Sequence, residues 1–319
     1  LGALSTGGTN VAVGNSAGIK ITTGSDNVCI GYECHGPSTG DQNVAVGKGA
    51  LSSSLTGGDD NVAVGFEAMR YASGSYNVGI GQSALKGDSS TAMSGSDNVC
   101  IGRSAGASIT SASDSVFIGG IAGQQITTGE YNVAVGYQAL SGSTGTKQRC
   151  TALGYGAGDS ITSGDNLTCL GHNADASSAT ATNEITLGDA NVATLRCNDQ
   201  SIGSLSDGRD KTDIVNSKFG LDFINNIRPV QFKWDRRNLV EGDLTASKNG
   251  KTRLGFIAQE FQEAMPNNEN DILDLVYESN PERLEAKYGN LIPILTKAIQ
   301  ELSIQNKELE NRIIELENG

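Results

Sequence analysis

"NVAVG", residues 10–14, decides the fold, because close variants of it return with their last glycine at 14, 31, 47, 65, 81, 102, 119, 136, 154, 171 and 188. The spacings are 17, 16, 18, 16, 21, 17, 17, 18, 17 and 17 residues, which marks an internal repeat. One and three residues before each glycine stand Val11 and Val13, Val28 and Ile30, Val44 and Val46, down to Ile185 and Leu187; only Thr151 and Thr168 break the pattern. Alternating β-branched residues predict short strands with one face buried. The residue between the pair is small in most copies. The third residue after the glycine is Ala or Cys in the first ten, from Ala17 and Cys34 to Ala157 and Ala174. Small side chains there predict a close backbone neighbour.

Between these strands lie "TTGSDN", "STGDQN", "ASGSYN" and "TTGEYN", in which Gly, Ser, Asp and Asn read as tight-turn residues. A unit of about 17 residues cannot bury its own apolar face, so it must stack on copies of itself. The expectation is a β-roll or β-solenoid whose Val/Ile faces are covered by neighbouring coils. Eleven coils at about 4.8 Å each make a rod on the order of 50 Å long.

Composition changes abruptly after the repeats. Residues 1–205 hold 35 of the 42 glycines, with 8 Lys/Arg and 16 Asp/Glu. Residues 206–319 hold 15 Lys/Arg and 20 Asp/Glu, four of the five prolines and the single tryptophan, so a domain boundary falls near 200–206. Both parts are acidic, which argues against nucleic acid or anionic lipid as a partner. No apolar run approaches the length of a membrane span, and the opening "LGALSTGG" lacks a basic, then apolar, leader. Neither membrane insertion nor a secretion signal is expected, and a start without methionine reads as a fragment.

The repeats exclude some activities. Hexapeptide acyltransferase helices repeat an apolar residue and glycine every six residues, whereas the glycine-marked strand here recurs once per coil. "ITTG" at 21–24 and 126–129 is too sporadic for an ice-binding threonine array, and the "GGxGxDxUx" calcium repeat is absent. The "NVAVGxxA" coils resemble the head repeats of trimeric adhesins and of many viral tail fibres. That resemblance implies three chains whose rolls pack side by side around small residues; a rigid spacer with no binding role stays open beside it.

Cys29, Cys100 and Cys169 occupy the middle strand position held elsewhere by Ala12, Ala45 and Ala63, and Cys34 takes an Ala slot. They read as slightly larger alanines, and six cysteines in so long and repetitive a chain do not make a disulfide framework. Cys34 with His35, or Cys169 with His172, is half a zinc site, but no second pair lies at matching spacing. The expectation is no metal and no cofactor.

The second part reads "SDGRDKTDI" at 206–214, "FGLDFINNIRPVQFKWD" at 219–235, "RLGFIAQEFQEAMP" at 253–266 and "EAKYGNLIPILTKAIQEL" at 285–302. In that order these segments resemble the C-terminal intramolecular chaperone domain of phage tailspikes and tail fibres, the self-cleaving peptidase family first recognised in endosialidases. The resemblance implies that Ser206 and Lys211 form a catalytic dyad that cuts the chain at Leu205–Ser206 once a trimer has folded. A serine hydroxyl needs a base to take its proton, and a lysine serves only if burial or nearby cations favour its neutral form. Arg209 helps in that direction; Asp207, Asp210 and Asp213 oppose it. Asp210 departs from the apolar residue that many members carry before the lysine, which bears on the rate of cleavage more than on its site.

Trp234, Phe232 and Phe223 read as core of a small α+β unit, with "RPVQFKWD" as a strand entered through Pro229. Gly255 to Ala258 read as a buried strand or helix entry, and Gln259 with Glu260 as neighbours of the cleavage site or, the better reading, as a cap of the next helix. Glu260 with Glu263, or Asp271 with Asp274, have the spacing of glycosidase carboxylates, but solvated helix faces fit them better. At the end of the chain Leu295, Leu302, Leu309 and Leu316 recur every seven residues, with Ile299, Asn306 and Ile313 four after the first three. These are the d and a positions of a coiled coil. Ile at a with Leu at d favours two strands taken alone, whereas the resemblance implies three; Asn306 then fixes register at some cost in stability.

The expected protein is therefore mainly β: a trimeric β-solenoid shaft over 1–190, a neck and cleavage linker over 191–205, an α+β chaperone and autoprotease over 206–290 and a coiled-coil helix over 291–319. What the resemblance implies for function is a virion appendage, assembled as a homotrimer in the host cytoplasm and directed at a host cell-surface receptor. A cellular trimeric adhesin built from the same modules is the alternative.

Overall fold

A computed structural model describes residues 2, 4–35, 39–52, 58–89, 91–142, 145–192, 194–196, 198, 206–233, 252–265, 270–278, 280–282 and 284–318. The chain forms two compact units, Leu1–Ala193 and Thr194–Gly319.

The first unit is a parallel β-solenoid. Its strands are β1 (Val11–Val13), β2 (Val28–Ile30), β3 (Val44–Val46), β4 (Val62–Val64), β5 (Val78–Ile80), β6 (Val99–Ile101), β7 (Val116–Ile118), β8 (Val133–Val135), β9 (Thr151–Leu153), β10 (Asp165–Leu170) and β11 (Thr182–Leu187). They form one sheet in chain order, each strand pairing in parallel with the next. The register follows the repeat: Val11 lies beside Val28, Val28 beside Val44, and Ile101 beside Ile118.

The direction of the side chains reverses one expectation. The middle residues Cys29, Ala45, Ala63, Cys100, Phe117, Ala134, Ala152 and Cys169 are buried, while the flanking Val/Ile pair faces outward. Neighbouring coils do not cover that pair. A coil of about 17 residues encloses little volume at native packing density, so inward positions take small side chains and the branched ones point out. The Ala or Cys third after each glycine, from Ala17 to Ala174, joins the same core. The small residues thus pack inside each roll, not between rolls.

The strand-ending glycine is dictated by contact. From Gly14 to Gly171 its φ lies between 120° and 139°, a region that residues with a Cβ avoid. A Cβ on Gly31 would sit 2.5 Å from the carbonyl oxygen of Gly47 one coil on. Each glycine therefore stacks on the next.

Asparagine is not the turn residue it was expected to be. Left-handed backbone falls one position earlier, at Asp26, Asp60 and Asp97 (φ 56° to 58°), while Asn27, Asn43, Asn61, Asn77, Asn98 and Asn132 are buried. Asn27 Oδ1 accepts the backbone N–H of Asn43 at 2.9 Å, and Asn27 Nδ2 donates to Gly40 O at 2.8 Å. Asn43, Asn61 and Asn77 repeat both bonds with the following coil. The buried amides are satisfied on both sides, which removes the penalty of burying them.

Core volume is shared between two positions. Where the fourth residue after the glycine is itself glycine (Gly18, Gly106, Gly123, Gly158), the seventh is a buried isoleucine (Ile21, Ile109, Ile126, Ile161). Where the fourth is Leu51, Met69, Leu85 or Leu140, the seventh is not isoleucine. Phe117, the one aromatic residue among the strand centres, sits over Gly123, where a Cβ would lie 2.7 Å from its ring. Lys147 replaces the small residue whose carbonyl receives the asparagine amide; its side chain is buried, its Nζ donates to Gly142 O at 3.3 Å, and burial lowers its pKa to about 8.

In the second unit, α1 (Leu221–Asn226) packs on the long α4 (Leu291–Asn318). β12 (Val230–Phe232) pairs antiparallel with β13 (Arg253–Gly255), and β14 (Val276–Tyr277) with β15 (Glu285–Ala286). Between them run α2 (Ala258–Ala264) and α3 (Asn270–Leu273). Phe219, Phe223, Ile227, Phe261, Leu275, Leu291 and Ile294 form the core. Phe223 sits where it was expected, Phe232 is half-buried, and Trp234 lies outside the described residues. Glu260 does not cap a helix by its side chain; it pairs with Arg228. The amide of Leu221 is instead capped by Glu301 of α4, at 2.7 Å, over Gly220, where a Cβ would lie 2.3 Å from that carboxylate.

Candidate functional site

The polar segment at 206–214 forms a short reversal. Asp207 has an extended backbone, and its carboxylate accepts the N–H of Arg209 at 2.9 Å, which caps a 3-10 turn at Gly208–Asp210. The guanidinium of Arg209 closes on the same carboxylate at 2.5 Å. Each partner steadies the other's charge: Arg209 holds the Asp207 carboxyl below its usual pKa, and Asp207 raises that of Arg209. The turn ends at Lys211, whose N–H donates to Gly208 O at 3.4 Å.

This reversal folds Lys211 back on Ser206, and Nζ donates to Oγ at 2.6 Å. A hydroxyl and an amine at that distance have the geometry of a nucleophile and its base. Arg209 was expected to act on the lysine, but its charge is committed to Asp207. Both Ser206 and Lys211 are exposed. The water exclusion that a lysine base requires is not supplied by the described residues of one chain. Leu205, on the other side of the Leu205–Ser206 bond, lies outside the described residues.

The heptad residues of α4 divide from its core contacts. Leu291, Ile294 and Ala298 are buried against the second unit, whereas Leu295, Ile299, Leu302, Asn306, Leu309, Ile313 and Leu316 are all exposed. Pro293 stands in the first turn, where a missing N–H costs nothing. The apolar seam is thus left exposed by the described residues of its own chain.

The remaining candidates have other roles. Glu260 and Glu263 line an open groove of about 470 Å³ with Asn226, Arg228 and Ala264, and the carboxylate of Glu260 is held by Arg228. Asp274 binds Lys287 at 2.6 Å and accepts from Asn290, which ties α3 to the chain before α4. Cys34 donates its thiol to Ala45 O at 3.3 Å, and His172 stacks on Tyr155 with ring centroids 5.4 Å apart. Among the described residues no group of three His, Cys, Asp or Glu side chains is placed to hold a metal, and no helix is long and apolar enough to cross a membrane.

Two features escaped sequence reasoning. The cap from Glu301 to Leu221 spans 80 residues and leaves no local signal. The buried asparagine ladder was visible as a repeated letter, but a repeated polar residue beside a strand reads equally well as a turn.

Residues 206–268 match the family model described as the chaperone of endosialidase, and the match opens on Ser206. No curated protein and no solved structure matches the chain. The family implies trimeric assembly and a chaperone role for this segment. Together with the preceding solenoid, the match fits a tail fibre with a C-terminal chaperone domain.

Proposed function

We propose that this chain is the shaft and chaperone of a viral tail appendage that attaches to a host surface, and that its C-terminal domain cleaves itself from the shaft at Leu205–Ser206. The observation that carries this reading is the Ser206–Lys211 contact of 2.6 Å at the first residue of the chaperone match, on the C-terminal side of the solenoid in the sequence. In the proposed step Lys211 Nζ takes the proton of the Ser206 hydroxyl. Oγ attacks the carbonyl carbon of Leu205, the C–N bond to Ser206 breaks, and the lysine returns the proton to the leaving nitrogen. Water then hydrolyses the ester, freeing the shaft. The reaction is single-turnover and self-directed.

The chaperone part has its own support. Three α4 helices joined through the exposed Leu295-to-Leu316 seam would hold three chains together, with Asn306 fixing their register. Joining the C-termini turns the pairing of the shafts from a search in solution into a local event. Trimers would also be the state in which neighbouring protomers exclude water from Ser206 and Lys211.

Purified protein run on a denaturing gel, boiled and unboiled, tests both halves. The expected result is a trimer-sized band without boiling, and after boiling a C-terminal fragment whose first residue is Ser206. An uncut chain after complete assembly, or a cut elsewhere, removes the dyad; a monomer band in the unboiled lane removes the trimer.

A further inference from the structure

The position directly after each strand-ending glycine forms an outward column of its own. Four of the eight aromatic residues in 1–190 fall on it, Tyr32, Phe66, Tyr137 and Tyr155, although it is one position of about seventeen in each coil. The rings are exposed, from 43 % at Tyr137 to 51 % at Tyr155. Tyr137 and Tyr155 stack with centroids 5.6 Å apart, and Tyr155 and His172 with centroids 5.4 Å apart. Carbon atoms in contact need only about 3.5–4 Å, so these near-parallel rings are offset like steps, and each leaves part of a face to solvent. Lys48 lies between two more rings of the column, its ammonium 5.4 Å from the Tyr32 centroid and 5.9 Å from that of Phe66. Arg103 stands exposed two coils beyond Phe66. No acid enters the column before its last member, Asp189, which pairs with His172 at 3.6 Å. Of the acids that directly follow it in the chain, Glu67 is held by Arg70 and Lys86, and Glu33 by the Tyr32 hydroxyl. On an otherwise acidic shaft this column presents rings and cations.

We infer that the column is a binding track for an extended polysaccharide that carries carboxylates at intervals, its sugar rings lying on the exposed aromatic faces and its carboxylates meeting Lys48 and Arg103. The inference deepens the host-attachment reading above and rests on it. One face of a pyranose ring is a sheet of C–H groups, which packs on the negative face of an aromatic ring. Linked pyranoses also advance by a step close to the coil rise of about 4.8 Å, so one chain can follow the column for the seven intervals from Lys48 to His172, about 34 Å. Single-stranded nucleic acid stacks on aromatic rings too, but it carries a charge on every unit and needs a continuous line of cations. Here the two cations stand three coils apart. The outward strand pair keeps its chemistry from coil to coil, whereas this column has Arg103, Gly120 and Tyr137 in succession. It is therefore not shaped to a repeat of itself.

The test is native affinity electrophoresis of the full-length chain through gels containing alginate, polygalacturonate or hyaluronan, with dextran as the neutral control and oligo(dT) as a further arm. Boiled gels and light scattering of the same preparation report cleavage and mass. The expected result is retardation by at least one of the three carboxylated polymers and none by dextran. Two double variants, Tyr137→Ala with Tyr155→Ala and Lys48→Gln with Arg103→Gln, should each weaken it about tenfold, the size that two lost ring or charge contacts imply, with circular dichroism and mass unchanged. No retardation by any of the three, equal retardation by dextran, stronger retardation by oligo(dT), or variants that bind like the parent each overturn the track. Variants that lose the trimer mass assign the column to a contact between copies and overturn it as well. A cleaved trimer that is not retarded overturns the track alone, whereas an uncut monomer removes the appendage reading on which it rests.

Discussion

The two units satisfy their apolar residues in opposite ways. In the solenoid every inward column, from the alanines to the asparagine amides, finds its partner one coil away, so the interior is complete within a single chain. In the C-terminal unit the core is small, and the longest helix carries Leu295, Leu302, Leu309 and Leu316 into solvent. The difference lies in the interior: the coils enclose their own column of side chains and leave only the Val/Ile face of the sheet exposed, while α4 leaves its whole heptad seam exposed. A wound shaft needs little from the chaperone, but an unwound one offers eleven nearly equivalent strands that pair out of register at small local cost.

Removing residues 206–319 attacks this contrast most directly. Expressed without them, the shaft is expected to aggregate, whereas the same residues released after folding should leave it soluble; sedimentation of the two preparations checks this. Heat-resistant trimers from residues 1–205 alone would show that the shaft sets its own register.

Next in size is the complete loss of cleavage expected for Ser206→Ala and for Lys211→Ala, with trimers retained, read as an uncut chain on a boiled gel. Failure of either variant to assemble would make these residues structural.

Within the shaft, Gly102→Ala places a Cβ 2.5 Å from Gly119 O at φ +133° and is expected to cost about 4 kcal/mol from strain and overpacking. Gly8→Ala meets nothing within 4 Å and should stay within about 0.5 kcal/mol. Paired denaturation midpoints measure the difference, and equal midpoints would mean that the glycine column is not a tight stack.

The smallest effect concerns Lys147. Burial lowers its pKa from 10.5 to about 8, so between those values the unfolded chain binds more protons and stability rises with pH. The contribution is fully present above pH 10.5 and lost as pH falls through 8. Lys147→Met is therefore expected to stabilise the shaft at pH 7 by about 2 kcal/mol and to flatten the dependence between pH 8 and 10.5. Thermal unfolding at three pH values reads it, and an unchanged slope would refute the assignment.

Much of this was legible in the sequence, because a repeat writes each structural column as a recurring letter. Strand positions, coil length and the need for a small residue at Ala17 and its equivalents could all be read directly. Which face points inward could not, since both alternating sets are apolar and only the tightness of the coil decides between Ala45 and its neighbours Val44 and Val46. The exchange between positions four and seven, such as Gly123 and Ile126 against Leu140, emerges only once both are known to fill one space. At the candidate site, Ser206 with Lys211 could be proposed only because the segments at 206–214, 219–235, 253–266 and 285–302 occur in the order that the resemblance requires. The Asp207–Arg209 pairing was missed because a charge census assigns no partners.

The asparagine ladder also has a mechanical meaning. Its amide bonds and those of the sheet run from coil to coil, along the axis on which the coils stack. Load is therefore carried by many short contacts in series, each coil linked to its neighbours through similar bonds. In an appendage of the proposed kind, nearest-neighbour coupling of this sort would let a load be yielded to coil by coil instead of in a single rupture.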